Sequence, residues 1–167
     1  TRRNLARGLP EMVNTLDFPA VKRTLSLCGS GPSLLASVPE LVGKVMACNA
    51  AIPALAQVGV PLDYAMIWDA TPEMVRYAEV IPGCEWMIAS RVHPDVIDKL
   101  LALGQTVTLW HRATTDPAMA ALYGLQRPQV FGGATALTTG PFLAGAMGYE
   151  DVHIFGGDSS FPDIAAS

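Results

Sequence analysis

The stretch Leu25-Ser26-Leu27-Cys28-Gly29-Ser30-Gly31-Pro32-Ser33 decides how this chain is read. An apolar run passes directly into a loop of two glycines, a proline and two serines. A buried strand ends this way when its loop must turn tightly and bring backbone amides within reach of a phosphate. Gly29 and Gly31 carry no side chain to block close approach, and they reach φ values closed to other residues. Gly-Pro-Ser after a strand is also ordinary turn chemistry, so anion binding and a plain turn both remain open from the loop alone. No Gly-Lys-Ser/Thr follows, which excludes a Walker A loop, and Leu34 stands where a dinucleotide fingerprint keeps its third glycine. About twenty residues on, where that fingerprint has its ribose-binding acid, the chain has Cys48 and Asn49, which disfavours NAD.

Working outward, short apolar runs alternate with helical segments, the pattern of a parallel sheet covered by helices. Strands are expected near 23–28, 44–49, 64–68, 86–90, 106–110 and 152–155. Thr71-Pro72-Glu73, His93-Pro94-Asp95 and Asp116-Pro117 each set a capping residue before a proline at a first helical position, and Gly104 stops one helix. Residues 4–16 are expected to form a leading helix. Residues 139–147 are apolar on nearly every side, so the helix expected there should lie between the sheet and other protein. Ala136, Gly140, Ala144 and Gly148 recur at every fourth position and offer a smooth stripe for close packing. The fold class is therefore α/β: a Rossmann-like, doubly wound, mostly parallel sheet with helices on both faces, in one domain over 1–167.

Composition narrows the partners. Half of the 167 residues are apolar and 16% are charged, with mean hydropathy +0.31, values of a well-packed globular protein and not of a disordered one. A net charge of −4 gives no electrostatic footprint for nucleic acid or an anionic membrane, so small molecules are the expected partners, with self-association left open. Residues 45–62 and 128–149 carry no charge, yet each is broken by glycine, proline and polar residues, so neither reads as a membrane span. No signal-peptide pattern opens the chain. Cys28, Cys48 and Cys84, odd in number and widely spaced, read as reduced core thiols in a cytoplasmic protein. Thr1 in place of methionine, and a stop at Ser167 soon after a strand and loop, are what a piece of a longer chain, truncated at one or both ends, would show.

In open parallel sheets ligands sit outside the carboxyl ends of the strands. The loops there carry Gly29 to Ser33, Asn49, Asp69, Ser90 and His93, His111 and Arg112, and Gly156 to Asp158. With these laid out, the chain resembles the 6-hydroxymethylpterin diphosphokinase-like (MptE-like) family, and more distantly the bacterial sialyltransferases that use CMP-sialic acid. The segments carrying the likeness are Cys28 to Ser33, and Gly133-Ala-Thr-Ala-Leu-Thr-Thr-Gly140 leading through Gly148-Tyr149 to Ile154-Phe-Gly-Gly-Asp158. Where the sialyltransferase-like loop reads Gly-Asn-Gly-Pro-Ser, this chain has Ser30.

The resemblance implies a nucleotide-dependent transferase that moves diphosphate from ATP to a hydroxymethyl-dihydropterin with the help of Mg2+. The alternatives are a sialyltransferase-like sugar-nucleotide glycosyltransferase and a nucleotide-binding module without activity. Gly29, Ser30, Gly31, Pro32 and Ser33 are the phosphate-loop candidates. Asn49 is expected at a ribose or base, or closing a turn. Thr138, Thr139 and Gly140 precede Pro141 and are expected at a helix N-terminus facing a second anionic group. Asp69 and Asp158 are the candidate magnesium ligands and, with His111, the catalytic candidates. His93 reads better as a helix cap. Trp68 and Trp110 are expected in the core or as a stacking wall for a flat base or pterin. Gly31→Val is expected to leave folding largely intact while abolishing nucleotide affinity.

Overall fold

The computed structural model describes residues 1–12, 23–124 and 127–158. Seven strands form one all-parallel sheet: β1 (Thr24–Cys28), β2 (Lys44–Cys48), β3 (Tyr64–Ile67), β4 (Glu85–Ala89), β5 (Thr106–Arg112), β6 (Gln129–Val130) and β7 (Asp151–Phe155), in the order β6-β5-β4-β3-β2-β1-β7. The helices are α1 (Arg2–Leu5), α2 (Ala51–Gln57), α3 (Pro94–Ala102), α4 (Pro117–Tyr123) and α5 (Ala136–Ala146). Strand order follows the chain from β1 to β6 and then jumps back, so that β7 lies on the other side of β1. The expected α/β class is the one observed.

Burial shows why β1 belongs at the centre. Leu25, Ser26, Leu27 and Cys28 are all buried, although successive side chains point to opposite faces, so both faces are covered. Two neighbouring residues identify the covers. Ser26 Oγ donates to Val42 O at 2.8 Å and accepts from Val42 N–H at 2.9 Å, in the connection to β2. Leu27, on the opposite face, packs on Gly140 of α5, where an added Cβ would come within 2.5 Å of Leu27 Cδ2. Right-handed crossovers require this division, because the return from β6 to β7 runs against the direction of the others.

Sequence signals placed most elements within a residue or two. His93 caps α3, its Nδ1 accepting from Asp95 N–H, and Gly104 follows the helix at φ +69°. Asp116 caps α4 through Ala118 N–H at 2.9 Å. Four expectations need correction. Residues 72–77 form a 3-10 helix with no fully buried residue, and Thr71 makes no side-chain cap. The leading helix stops at Leu5, because Gly8 takes a left-handed φ of +63° and Pro10 follows. Residues 10–12 run extended beside β5, with Met12 N–H on Leu109 O and Leu109 N–H on Pro10 O, both at 2.8 Å. The part of that expected helix at 13–16 lies outside the described residues. Strand β6 was not anticipated, as two residues carry no periodicity.

The fourth correction concerns α5. It begins at Ala136, with Thr135 as its cap, so Pro141 lies inside the helix and not at its start. Thr135 and Thr138 cap each other reciprocally: Thr138 N–H donates to Thr135 Oγ1 at 3.1 Å and Thr135 N–H to Thr138 Oγ1 at 2.9 Å. The stripe Ala136, Gly140 and Ala144 is buried as expected, but Phe142 on another side is 55% exposed. Among the described residues no helix is long and apolar enough to cross a membrane.

Candidate functional site

The reversal of strand order between β1 and β7 is where an open parallel sheet forms its crevice. A cleft of about 610 Å³ opens there. Gly29, Ser30 and Gly31 form one wall, Cys48 and Asn49 a second, and the first turn of α5 from Thr135 to Thr138 a third, with Ile154, Gly156 and Gly157 beside them. Of the residues singled out in the sequence, Gly29, Ser30, Gly31, Asn49 and Thr138 are thereby brought together.

The glycines perform a task different from the one first read into them. Gly29 N–H donates to Phe155 O at 2.8 Å and Gly31 N–H to Gly156 O at 2.9 Å, so the loops after β1 and β7 are laced backbone to backbone. A Cβ on either Gly29 or Gly31 would fall 2.7 Å from Gly156 O, and the one on Gly31 would also strike the Asp158 carboxylate. Gly31→Val is therefore expected to disturb the loop itself, contrary to the expectation of an intact fold. Ser33 is engaged as well: its amide donates to Asp158 Oδ2 at 2.9 Å, and its hydroxyl lies 2.7 and 2.8 Å from the two carboxylate oxygens. These bonds hold the Asp158 carboxyl below the usual carboxylate range. The protein's own carboxylate thus takes the donors of Ser33. Pro32 is exposed in the same loop.

Among the described residues, further donors at the cleft come from α5. The amides of Ala136 and Leu137 open the helix, have no intrahelical acceptor, and carry the positive end of its dipole into the cleft. Opposite them, Asn49 sits at φ +48°, unusual for a residue other than glycine, its amide held by Met66 O at 3.1 Å. Asn49 Oδ1 is buried with no hydrogen-bond partner among the described residues. A ligand donor placed there would satisfy it. Among the described residues no lysine or arginine lines this cleft. Cys48 does, but burial pushes its thiol far up, as it pushes Cys28 to about 12, so neither is a thiolate nucleophile at neutral pH. All three cysteines are free.

The remaining expected residues lie elsewhere. Thr139 and Gly140 are in the second turn of α5 and buried, Thr139 Oγ1 donating to Gly133 O at 3.2 Å and Gly140 packing on Leu27. Asp69 accepts the Thr71 amide at 3.1 Å and does not line the cleft. Asp158 is bonded to Ser33 and Asp69 to the Thr71 amide away from the cleft, so the structure does not bring the two together there as a pair of magnesium ligands. His111 is 1% exposed: Nε2 meets Glu11 Oε2 at 3.1 Å, Glu11 is gripped by Arg127 at 2.8 Å, and the ring leans on Tyr123. Burial lowers its pKa, against the pull of Glu11. It does not line this cleft. Trp110 is wholly buried, donating to Met87 O at 3.2 Å, whereas Trp68 is half-buried at the strand ends.

The fold and cleft define a Rossmann-like α/β protein with its crevice at the strand-order reversal. No protein-family model matches the chain, and neither does any curated protein. Among solved structures, the MAf glycosyltransferase from Magnetospirillum magneticum AMB-1 shares the fold, with a TM-score of 0.78 and 19% identity over 100% of this chain. The chain spans 28% of that structure's length. At 19% identity the likeness is one of fold, and it does not by itself support the diphosphokinase-like family.

Proposed function

We propose that this chain supplies the nucleotide-binding part of a transferase acting on a nucleotide-activated sugar. The observation that carries the reading is the cleft between Gly29–Gly31, Asn49 and the first turn of α5. It sits at the strand-order reversal of a fold shared with a protein described as a glycosyltransferase. The Ala136 and Leu137 amides would receive a phosphate oxygen, and Asn49 Oδ1 would accept from a ribose hydroxyl or base amine. In sugar transfer an acceptor hydroxyl attacks the anomeric carbon, and the carbon–oxygen bond to phosphate breaks with its electron pair leaving on the nucleotide. A helix N-terminus lowers the energy of that developing charge.

Charge favours this reading over transfer of diphosphate from ATP. Among the described residues a triphosphate would meet amides and no basic side chain in this cleft, beside the Asp158 carboxylate. A nucleotide bearing one or two phosphates asks less of the same donors.

Calorimetric titration with CMP, UMP, ATP and a reduced pterin tests the proposal. Nucleoside monophosphates should bind, and Asn49→Gly, which keeps the left-handed backbone while removing the side chain, should weaken them roughly tenfold, about the worth of one hydrogen bond. Tighter binding of ATP together with a pterin would overturn it in favour of diphosphate transfer.

A further inference from the structure

A second cleft, of about 770 Å³, opens beyond the ends of β3, β4, β5 and β6. Arg91 and Arg112 line it, and both guanidinium groups lie over Trp68, at 5.7 and 4.8 Å from the ring centroid. Neither arginine forms an ion pair with a carboxylate among the described residues, although Asp116 lines the same cleft. Asp116 is occupied in capping α4. Arg112 spends one donor on Gly133 O at 3.1 Å, and Arg91 makes no hydrogen bond among the described residues. Phe131, 72% exposed, adds an aromatic surface to the wall.

Two like charges brought to one ring repel each other, and each retains donors with no partner among the described residues. A guanidinium is the side chain best matched to a planar oxyanion, and an aromatic plate beside it suits the C–H face of a sugar. We infer that the Arg91–Trp68–Arg112 cluster is a binding site for an oxyanion carried by a small ligand of sugar size, a carboxylate or a phosphate. It is a separate cleft from the one assigned to the nucleotide, and it stands whether or not that reading does.

Trp68 reports on the site directly, since Trp86 and Trp110 are both fully buried. Fluorescence titrations with glucuronate, inorganic phosphate and glucose provide the test. Glucuronate, phosphate or both should give a saturable change that weakens as salt is raised, and glucose should give none; which anion binds identifies the source of the oxyanion. Arg91→Gln should weaken binding at least tenfold. Arg112→Lys, which keeps the charge and loses the fork, should weaken it severalfold while far-UV circular dichroism stays unchanged. CMP affinity, measured in the same variants, should hold. The proposal is overturned if neither anion binds, if glucose binds as well as glucuronate, or if Arg91→Gln leaves the anion affinity unchanged.

Discussion

Ser33 gives both its amide and its hydroxyl to the carboxylate of Asp158, 125 positions further along the chain, at 2.7 to 2.9 Å. The pair ties the loop after β1 to the loop after β7 and so sets the width of the cleft between them. Because these bonds depress the Asp158 pKa, the tie is complete above the ordinary aspartate value of 3.8 and is lost as pH falls through the lower folded value. In a pH titration by NMR, the Ser33 amide resonance should therefore move with a midpoint below 3.8. A midpoint at or above that value would show that the tie is not made in solution.

Gly31→Val tests the lacing of the two loops. Overpacking of this kind costs about 1–3 kcal/mol. Hydrogen exchange should accelerate at residues 29–33 and 156–158 together, while β3 to β5 keep their protection. Acceleration confined to residues 29–33 would mean that the loops open independently.

Leu27 and Gly140 pack against each other across the sheet–helix interface, which a double-mutant cycle can measure. Leu27→Ala alone should cost about 2–5 kcal/mol, the usual range for truncating a buried leucine. Gly140→Ala alone should also destabilise, because its Cβ displaces the leucine. In the Leu27→Ala background the same alanine enters vacated space, so denaturant unfolding should show a smaller combined loss than the sum. Strict additivity would remove α5 from this face of β1.

Much of this architecture was legible in the chain. Runs such as 25–28 and 64–67, buried on both faces, read as parallel strands, and proline behind a capping residue marked α3 and α4. Other parts were hidden for physical reasons. Pro141 drew the start of α5 forward, since proline is commonest in a first turn, and the Thr135–Thr138 box was obscured because it uses threonine where glutamate or glutamine is usual. The loop Gly29 to Ser33 pointed to the right corner of the molecule. Whether its amides faced a ligand or a neighbouring loop depended on β7, whose partner no local pattern reveals. His111 beside Arg112 suggested chemistry, yet alternation along β5 turns the histidine inward to Glu11 and leaves the arginine at the cleft.

The Glu11–His111–Arg127 cluster predicts how stability depends on pH. Burial keeps the His111 pKa below 6.5, so the unfolded chain binds this proton more readily and stability falls as pH drops below about 6.5. Burial alone would raise the Glu11 pKa, but Arg127 and His111 together hold it below 4.5, which removes further stability as pH falls through the folded value. Both contributions have the same sign. The thermal midpoint should decline from pH 7 to pH 4, and His111→Phe should flatten the part of that slope just below 6.5. An unchanged slope in the variant would show that the ring is not held neutral.

Strand β1 joins β7 through the register Thr24↔Asp151 to Cys28↔Phe155, a pairing that spans most of the described chain. Contacts so distant in sequence are the slowest to form, because a large loop must close first. A polypeptide emerging from the ribosome would hold strands one to six before the crevice between β1 and β7 existed. Closure of that crevice is therefore a readout of completed folding, and a chain arrested short of residue 151 would lack it however native the rest had become.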